Sequence, residues 1–330
     1  MNVVAFVVIA FMLTAYVMLD GYDLGVAAIA PFVAKSDEER AAAMASIGPF
    51  WNGNEVWLIA AGGALFALFP EAYASSFSGF YLPLMVVLWL LMFRGIAMEL
   101  RGHLQSELWH SFWDVAFTVS SVLLIVVFGV ALGNLVRGLP LDANGYFQGT
   151  FTYLLNPYAL LVGVFAIATL SMHGATWLGW AARGPISARG ETLAHRLWWP
   201  VLVLYVVVSG MTFLVRGMPG GASGLLLMPI VSLAALAACW FFARAKAPRR
   251  AFAASSVFIA SLVATAAWTM FPYLLPSYPA GHGGLSIYAT APSPVALISA
   301  LVVTIVGIAI VILYATFVLG KMLPKMRAGE

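Results

Sequence analysis

Long apolar runs alternate with short polar segments along the whole chain. A membrane-spanning helix needs about 20 predominantly apolar residues, and nine runs approach or exceed that length. The pattern predicts an all-α, polytopic integral membrane protein with about nine transmembrane helices in a single transmembrane domain, residues 1–330. The predicted spans are 3–31, 52–70, 76–98, 112–136, 154–181, 198–215, 223–243, 252–274 and 294–319.

The segments between the runs are short, which leaves no room for a separate soluble domain. Ser36–Ser46 opens with a serine and three acidic residues, a pattern typical of a capped surface helix. The longest segments on the opposite side are 137–153 and 275–293. The second of these is rich in Gly, Ser, Tyr and Pro, so we expect an ordered cap or a flexible loop there.

The positions of lysine and arginine predict the orientation. With nine spans, 14 of the 16 Lys+Arg lie on one side of the membrane. Only Arg137 and Arg216 lie on the other side. Because basic residues accumulate in cytoplasmic loops, we expect the C-terminus in the cytoplasm and the N-terminus outside.

Composition excludes several classes of protein and site. The chain is 63% hydrophobic and 9% charged, with a mean hydropathy of +0.97, whereas soluble domains are about 25% charged. Its one cysteine, Cys239, excludes an internal disulfide, a cysteine-based zinc site and an iron–sulfur cluster. There is no attachment motif for haem c, no P-loop, no dinucleotide fingerprint and no pattern indicating nucleic-acid binding.

Carboxylates within the apolar runs are the main candidates for chemistry, because ionisable residues in a membrane segment are costly and usually functional. Asp20 and Asp23 are three residues apart, so they share one face of the first helix. Asn52 and Glu55 share a face of the second in the same way. All four lie toward the predicted cytoplasmic side. They suggest a proton relay or an ion site; the alternative is a set of buried acids that serves assembly.

The third span ends on the same side with Arg94, Glu99 and Arg101. These residues add a supporting polar group to a cytoplasmic entrance for protons or water. The favoured interpretation of the three is simpler: interfacial side chains that reach toward water and form a surface salt bridge.

Histidines give no metal constellation in the sequence. His173 lies in the fifth span and is a haem-ligand candidate, but no second axial partner stands at helical spacing. The other histidines fall in predicted loops, and the spacing suggests no metal site among them: His103, His110, His195 and His282.

Several short motifs, in order over nearly the whole chain, resemble one known family. The chain is similar to subunit 2 of cytochrome bd-type quinol oxidases, including the cyanide-insensitive branch. The motifs are Asp20-Gly-Tyr-Asp-Leu-Gly, Trp51-Asn-Gly-Asn-Glu-Val-Trp57 with the following Ala-Ala-Gly-Gly-Ala-Leu-Phe-Ala, Ser78-Gly-Phe-Tyr, Phe128-Gly-Val-Ala-Leu-Gly-Asn134, Leu155-Asn-Pro-Tyr158, Gly174-Ala-Thr and Met270-Phe-Pro-Tyr273.

The resemblance implies two four-helix bundles plus one peripheral helix, in the bacterial cytoplasmic membrane. It implies a heterodimer with a similarly folded subunit 1, which carries haem b and haem d, or b-type haem only. That complex oxidises quinol and reduces dioxygen to water with cytoplasmic protons. No catalytic residue is then expected in this chain, which contributes to proton uptake and stabilises its partner. Some members hold a structural quinone between helices, and a small single-helix subunit often accompanies the pair.

One departure from the family pattern shifts the proposed proton path. Some members have Asp where this chain has Asn52, and Gln where it has Glu55. A carboxylate is kept on the same helix face but moves by one turn, so Glu55, with Asp20 and Asp23, becomes the expected carrier. Two alternatives remain: a proton-coupled secondary transporter, and a purely structural membrane partner.

Overall fold

The computed structural model describes residues 1–216, 222–279 and 284–328, with the side chains of 222–226 and 325–328 left aside. It is built almost entirely of helices, as the apolar runs predict. The elements are α1 (Asn2–Val33), α2 (Asp37–Ala45), α3 (Trp51–Leu68), α4 (Pro70–Gly79), α5 (Tyr81–Leu100), α6 (Glu107–Arg137), α7 (Phe151–Leu154), α8 (Pro157–Ala181), α9 (Gly184–Arg216), α10 (Ala222–Arg244), α11 (Pro248–Met270), β1 (Tyr273–Leu275), β2 (Leu285–Ser286) and α12 (Pro294–Ala328).

Eight helices in the described part of the chain are long and apolar enough to cross a membrane: α1, α5, α6, α8, α9, α10, α11 and α12. The all-α, polytopic prediction is therefore confirmed. Helix α3 corresponds to the predicted second span but is less apolar, because Asn52, Asn54 and Glu55 occupy its first turns. The total of nine transmembrane helices stays a prediction.

Prolines explain two differences between the predicted and the observed helix ends. Pro70 occupies the first turn of α4, where its missing N–H costs nothing, so this short helix takes over the start of the predicted third span. The predicted span 252–274 ends early, at Met270. The next residue, Phe271, leaves helical geometry, as expected for a residue before a proline.

Helix α1 is the centre of the structure and contacts α3, α6, α8 and α11. Helix α8 is the second hub, since it packs on α1, α6, α9 and α11. Helix α12 lies at the edge and packs chiefly on α3. Because α6 packs on α8 at least as closely as on α1, the division into two four-helix bundles stays a prediction.

Helices α1 and α8 cross in backbone contact at two glycines. A Cβ on Gly25 would lie 1.9 Å from the carbonyl oxygen of Leu170. A Cβ on Gly174 would lie 2.3 Å from the carbonyl carbon of Gly25. Small residues allow such close approach between membrane helices. Both glycines belong to the motifs noted in the sequence, and their contact fixes how α1 lies on α8.

The predicted surface helix is confirmed as α2. The Ser36 side chain accepts a hydrogen bond from the Glu39 backbone N–H at 3.3 Å, and three acids occupy the first turn, as a helix N-terminus favours. The Glu39 carboxylate also pairs with Arg189 of α9. Its hydrogen bond with this guanidinium lowers the pKa of Glu39 below its ordinary value.

The segments that follow α6 and α11 form an ordered cap where they are described. Strands β1 and β2 pair antiparallel. Leu139, just after α6, exchanges backbone hydrogen bonds with the segment around Ser277: its N–H donates to Pro276 at 2.8 Å, and its carbonyl accepts from Tyr278 at 2.8 Å. Residues 280–283, which include His282, lie outside the described residues.

Candidate functional site

The centre of the candidate site is an ion pair between α1 and α5. Arg94 donates from Nη1 and Nη2 to the two carboxylate oxygens of Asp20, at 2.9 and 2.6 Å. Neither side chain has any solvent-accessible surface. This bidentate geometry is the strongest arrangement available to an arginine and a carboxylate. It joins the first and third predicted spans within the membrane.

Asp23 lies on the same side of α1 and is held by Asn54 of α3. The Asn54 amide donates to Asp23 Oδ2 at 2.8 Å and to the Tyr22 hydroxyl at 2.8 Å. Asp23 is also 4.0 Å from Arg94. One amide with two hydrogens thus fixes two neighbouring side chains of α1.

Glu55 completes what we call the Arg94 cluster: Asp20, Asp23, Asn54, Glu55 and Arg94. Its Oε1 lies 3.5 Å from Arg94 Nη1. The Glu55 side chain keeps 19% of its surface accessible, whereas those of Asp20 and Arg94 keep none. Among the carboxylates of the cluster, Glu55 is therefore the one whose side chain reaches the surface of this chain.

The cluster contains three carboxylates and one guanidinium. A buried carboxylate without a balancing charge is costly, and one guanidinium cannot balance three carboxylates. Three buried atoms also lack a hydrogen-bond partner within the described residues: Asp23 Oδ1, Glu55 Oε1 and Arg94 Nε. The two carboxylate oxygens among them can accept a proton or a further hydrogen bond, whereas Arg94 Nε can only donate one.

The structure brings together four of the seven residues predicted from the sequence: Asp20, Asp23, Glu55 and Arg94. Asn52 is instead exposed on the outer face of α3, and Glu99 is exposed on α5. Arg101 joins a separate group at the membrane face. There it contacts Asp37 and Asp114, both at 2.6 Å.

The favoured interpretation of Arg94 as an interfacial side chain was wrong. Arg94 is fully buried, because α5 packs beside α1 so that the guanidinium meets Asp20. The surface salt bridge expected for Glu99 and Arg101 is also corrected. Within the described residues, the acidic partners of Arg101 are Asp37 and Asp114.

Asn54 and Tyr22 are the functional residues that sequence reasoning missed. Asn54 follows Trp51 by three residues and precedes Trp57 by three, and all three are buried. That spacing places Asn54 on the apolar, inward face of α3. A polar residue on such a face signals an internal partner, and this signal distinguishes it from Asn52.

On the α8 and α11 side of α1 lies a neutral group, which we call the His173 network: His173, Thr176, Ser255 and the Met18 carbonyl. His173 Nε2 lies 2.9 Å from the Met18 oxygen, and Nδ1 lies 2.7 Å from Ser255 Oγ. A carbonyl only accepts, so Nε2 donates to Met18. The Ser255 hydroxyl, which contacts Nδ1, has one hydrogen and donates to the Phe252 carbonyl at 2.8 Å. Both ring nitrogens are engaged, which leaves none to ligate a haem iron.

An apolar cavity of about 360 Å³ lies between α1, α6, α8, α9 and α11. Its polar groups are few. The Tyr158 and Thr212 hydroxyls are 2.8 Å apart, and Arg216 donates to the Thr269 carbonyl at 3.2 Å. The lining is that of a site for an apolar molecule.

The model of the family "Cytochrome bd terminal oxidase subunit II" matches residues 1–322. The chain belongs to this family. It is 33% identical over 356 residues to the "Probable cytochrome oxidase subunit 2" of Haemophilus influenzae, covering 98% of this chain and 94% of that one. It is 30% identical over 352 residues to the "Cytochrome bd-I ubiquinol oxidase subunit 2" of Escherichia coli, covering 96% and 93%.

The fold agrees with that of a solved bd oxidase. A chain of the bd oxidase from Geobacillus thermodenitrificans superposes with a TM-score of 0.78 over 97% of this chain and 98% of its own length, at 17% identity. This bd oxidase subunit 2 is therefore part of a quinol:oxygen oxidoreductase complex with subunit 1, in the bacterial inner membrane. Within the described residues, no group of three or more His, Cys, Asp or Glu side chains is placed to hold a metal ion.

Proposed function

We propose that this subunit delivers cytoplasmic protons toward the site of dioxygen reduction and supports the haem-bearing subunit 1. The observation that carries the proposal is the Arg94 cluster. Three carboxylates share one guanidinium in the membrane, and one of them, Glu55, is partly open to solvent.

In the proposed order of transfer, protons pass from the most exposed carboxylate of the cluster to the fully buried ones. Glu55 takes up a proton at the open end, and the acids behind it, Asp20 and Asp23, exchange protons within the cluster. Arg94 stabilises whichever carboxylate is ionised. Asn52 carries no proton in this scheme, because an amide does not titrate and its side chain lies on the outer face of α3.

The outer face of α3 is the proposed contact with subunit 1. Val56 and Ile59 are exposed there, directly beside Glu55. A partner packed on this face would exclude lipid from the open end of the cluster and receive its protons. Glu99 and Arg101 are proposed to keep a supporting role at the same membrane face.

The remaining family features are also proposals. The haems, b with d or b alone, belong to subunit 1, and quinol and dioxygen are substrates of the complex. A small single-helix subunit accompanies the pair. The chain forms one transmembrane domain, with its N-terminus outside and its C-terminus in the cytoplasm, as the Lys+Arg distribution supports. If this member holds a structural quinone, the apolar cavity is the space that suits it.

The test is Glu55→Gln in the assembled complex. The amide keeps the size of the side chain but removes the titratable group. We expect normal haem content and slower quinol-driven oxygen uptake. Glu107→Gln is the matched control, since Glu107 is exposed in the first turn of α6 and belongs to no group assigned a role above; it should leave uptake unchanged. Unchanged turnover in Glu55→Gln would remove Glu55 from the mechanism.

A purely structural role for the buried acids makes a different prediction. If Asp20 and Asp23 serve assembly alone, Asp20→Asn and Asp23→Asn will lower the yield of complex, while the assembled fraction keeps full turnover per haem. The family match argues against the secondary transporter, which would purify as an active carrier without haem.

A further inference from the structure

Acidic and basic residues are distributed very unequally between the two parts of the chain. Residues 1–142 hold 11 of the 13 Asp+Glu but only 5 of the 16 Lys+Arg. Residues 143–330 hold 2 Asp+Glu and 11 Lys+Arg. The carboxylates of the first part are used in the Arg94 cluster and around α2, whereas the cations of the second part have almost no acids available as partners.

Five of these cations form what we call the basic surface: Arg196 of α9, Arg244 at the end of α10, Lys246 in the turn, and Arg249 and Arg250 at the start of α11. All five are exposed. None of them makes a salt bridge within the described residues, where the ion pairs involve other side chains.

Aromatic rings line the membrane side of the basic surface. The Arg244 guanidinium lies 4.8 Å from the centre of the Trp240 ring, and that of Arg250 lies 5.9 Å from the Phe242 ring. Trp198 of α9 donates to the Leu236 carbonyl of α10 at 2.8 Å. Tryptophan is enriched at the level of lipid head groups, so these contacts place the cations at that level.

Four like charges at the turn between α10 and α11 repel one another, and water and salt reduce this repulsion only in part. The positive-inside bias alone explains why basic residues occur here, because it acts during membrane insertion. It does not require that these five cations lack a salt bridge among the described residues, or that guanidinium groups lie over aromatic rings. Both features fit a ligand that brings negative charge and also contacts apolar side chains.

We propose that the basic surface binds anionic phospholipids of the cytoplasmic leaflet. Each lipid phosphate would contact the cations, and its glycerol and upper acyl chains would pack on Trp240 and Phe242. The side of the membrane depends on the orientation proposed above, but the binding itself does not depend on the proton pathway. Basic clusters beside membrane helices attract anionic lipids in this way.

The experiment uses the whole complex after removal of native lipid by detergent. Phosphatidylglycerol or phosphatidylcholine is added back, and bound lipid is counted by native mass spectrometry alongside the thermal midpoint. The test variant is Arg244→Gln/Arg249→Gln/Arg250→Gln. The matched control, Lys321→Gln/Lys325→Gln/Arg327→Gln, removes the same charge at the end of α12.

We expect the wild type and the control to bind phosphatidylglycerol preferentially and to gain thermal stability from it. At about 1 kcal/mol for each cation near the surface, the test variant should bind it on the order of a hundredfold more weakly. Equal binding by test variant and control would overturn the proposal, as would equal binding of the two lipids by the wild type. If the triple variant does not assemble, two further measurements test the proposal. The single variant Arg249→Gln should bind phosphatidylglycerol more weakly than the wild type, and wild-type binding should weaken as the salt concentration rises. The absence of both effects would overturn the proposal.

Discussion

Helix α1 has a polar site on each of two sides, and the two sites are built differently. Toward α3 and α5, the Arg94 cluster holds four ionisable side chains, and three of its buried atoms have no partner among the residues that the structure describes. Toward α8 and α11, the His173 network is neutral, and both ring nitrogens of its histidine are hydrogen-bonded.

The Arg94 cluster can change its protonation state, whereas the His173 network holds the neighbouring helices together. In the His173 network both ring nitrogens of the histidine already have a partner, and the contacts tie α1 to α8 and α11. A cluster with more carboxylates than cations has several protonation states, which differ only in which carboxyl group holds a proton. Both sites depend on α1 lying at one fixed position between its neighbours.

The largest expected effect comes from removing that fixed position. Gly25→Ala would place a methyl group against the backbone of α8, only 1.9 Å from the Leu170 oxygen. Backbone atoms have no rotamer to adopt, so α1 and α8 must separate and both sites should fail. We expect almost no assembled complex on native gels.

Gly210→Ala in α9 is the control for the crossing, because among the described residues no atom outside the neighbouring helix backbone lies within 4 Å of the added methyl group. It should assemble as the wild type does. Normal assembly of Gly25→Ala would show that the helix crossing is not what fixes the two sites.

The second effect is loss of the charge balance in the Arg94 cluster. Arg94→Gln leaves three carboxylates without their cation, and breaking a buried ion pair costs about 3–5 kcal/mol. We expect a strong drop in the yield and thermal midpoint of the complex, partly rescued when Asp20→Asn is added. A double variant no better than the single one would mean that the Asp20 carboxylate is not the partner that matters.

The third prediction concerns the His173 network and should separate stability from turnover. His173→Leu leaves the Ser255 hydroxyl and the Met18 carbonyl without this partner, at a cost of about 1–3 kcal/mol. The thermal midpoint should fall while oxygen uptake per haem stays normal. Slower uptake at full haem content would place His173 in the proton pathway and remove the contrast between the two sites.

The smallest effect is at the surface, where Glu39 pairs with Arg189. Because this hydrogen bond lowers the pKa of Glu39 in the folded protein, its stabilisation is present above the unfolded value of about 4.3. It is lost as the pH falls through the lowered value. The difference in thermal midpoint between wild type and Glu39→Gln should therefore shrink from pH 7 toward acidic pH. A constant difference would show that the charge of Glu39 is irrelevant.

The sequence predicts the helices well because each span is a long apolar run with a polar end. It also places Asp20 and Asp23 on one face, since helical spacing is local. It does not predict the partner of Arg94, which lies 74 residues away. That pairing depends on how α5 packs beside α1, and the apolar pattern does not determine packing between helices.

The same limit explains the choice between Asn52 and Asn54. Both lie in the first turn of α3, and each shares a face with other polar or aromatic residues. The spacing of Trp51, Asn54 and Trp57 indicates which asparagine turns inward, but only the docking of α3 on α1 brings Asn54 to Asp23, at 2.8 Å.

The separation of Asp20 from Arg94 has a consequence for biosynthesis. At about 5–20 residues per second, the ribosome adds the intervening 74 residues in roughly 4–15 s. During that interval the first helix exists without its arginine. Two aspartates therefore enter or wait beside the membrane before their counter-ion has been made. The nascent chain must hold them protonated, or keep this helix near the insertion machinery, until α5 emerges.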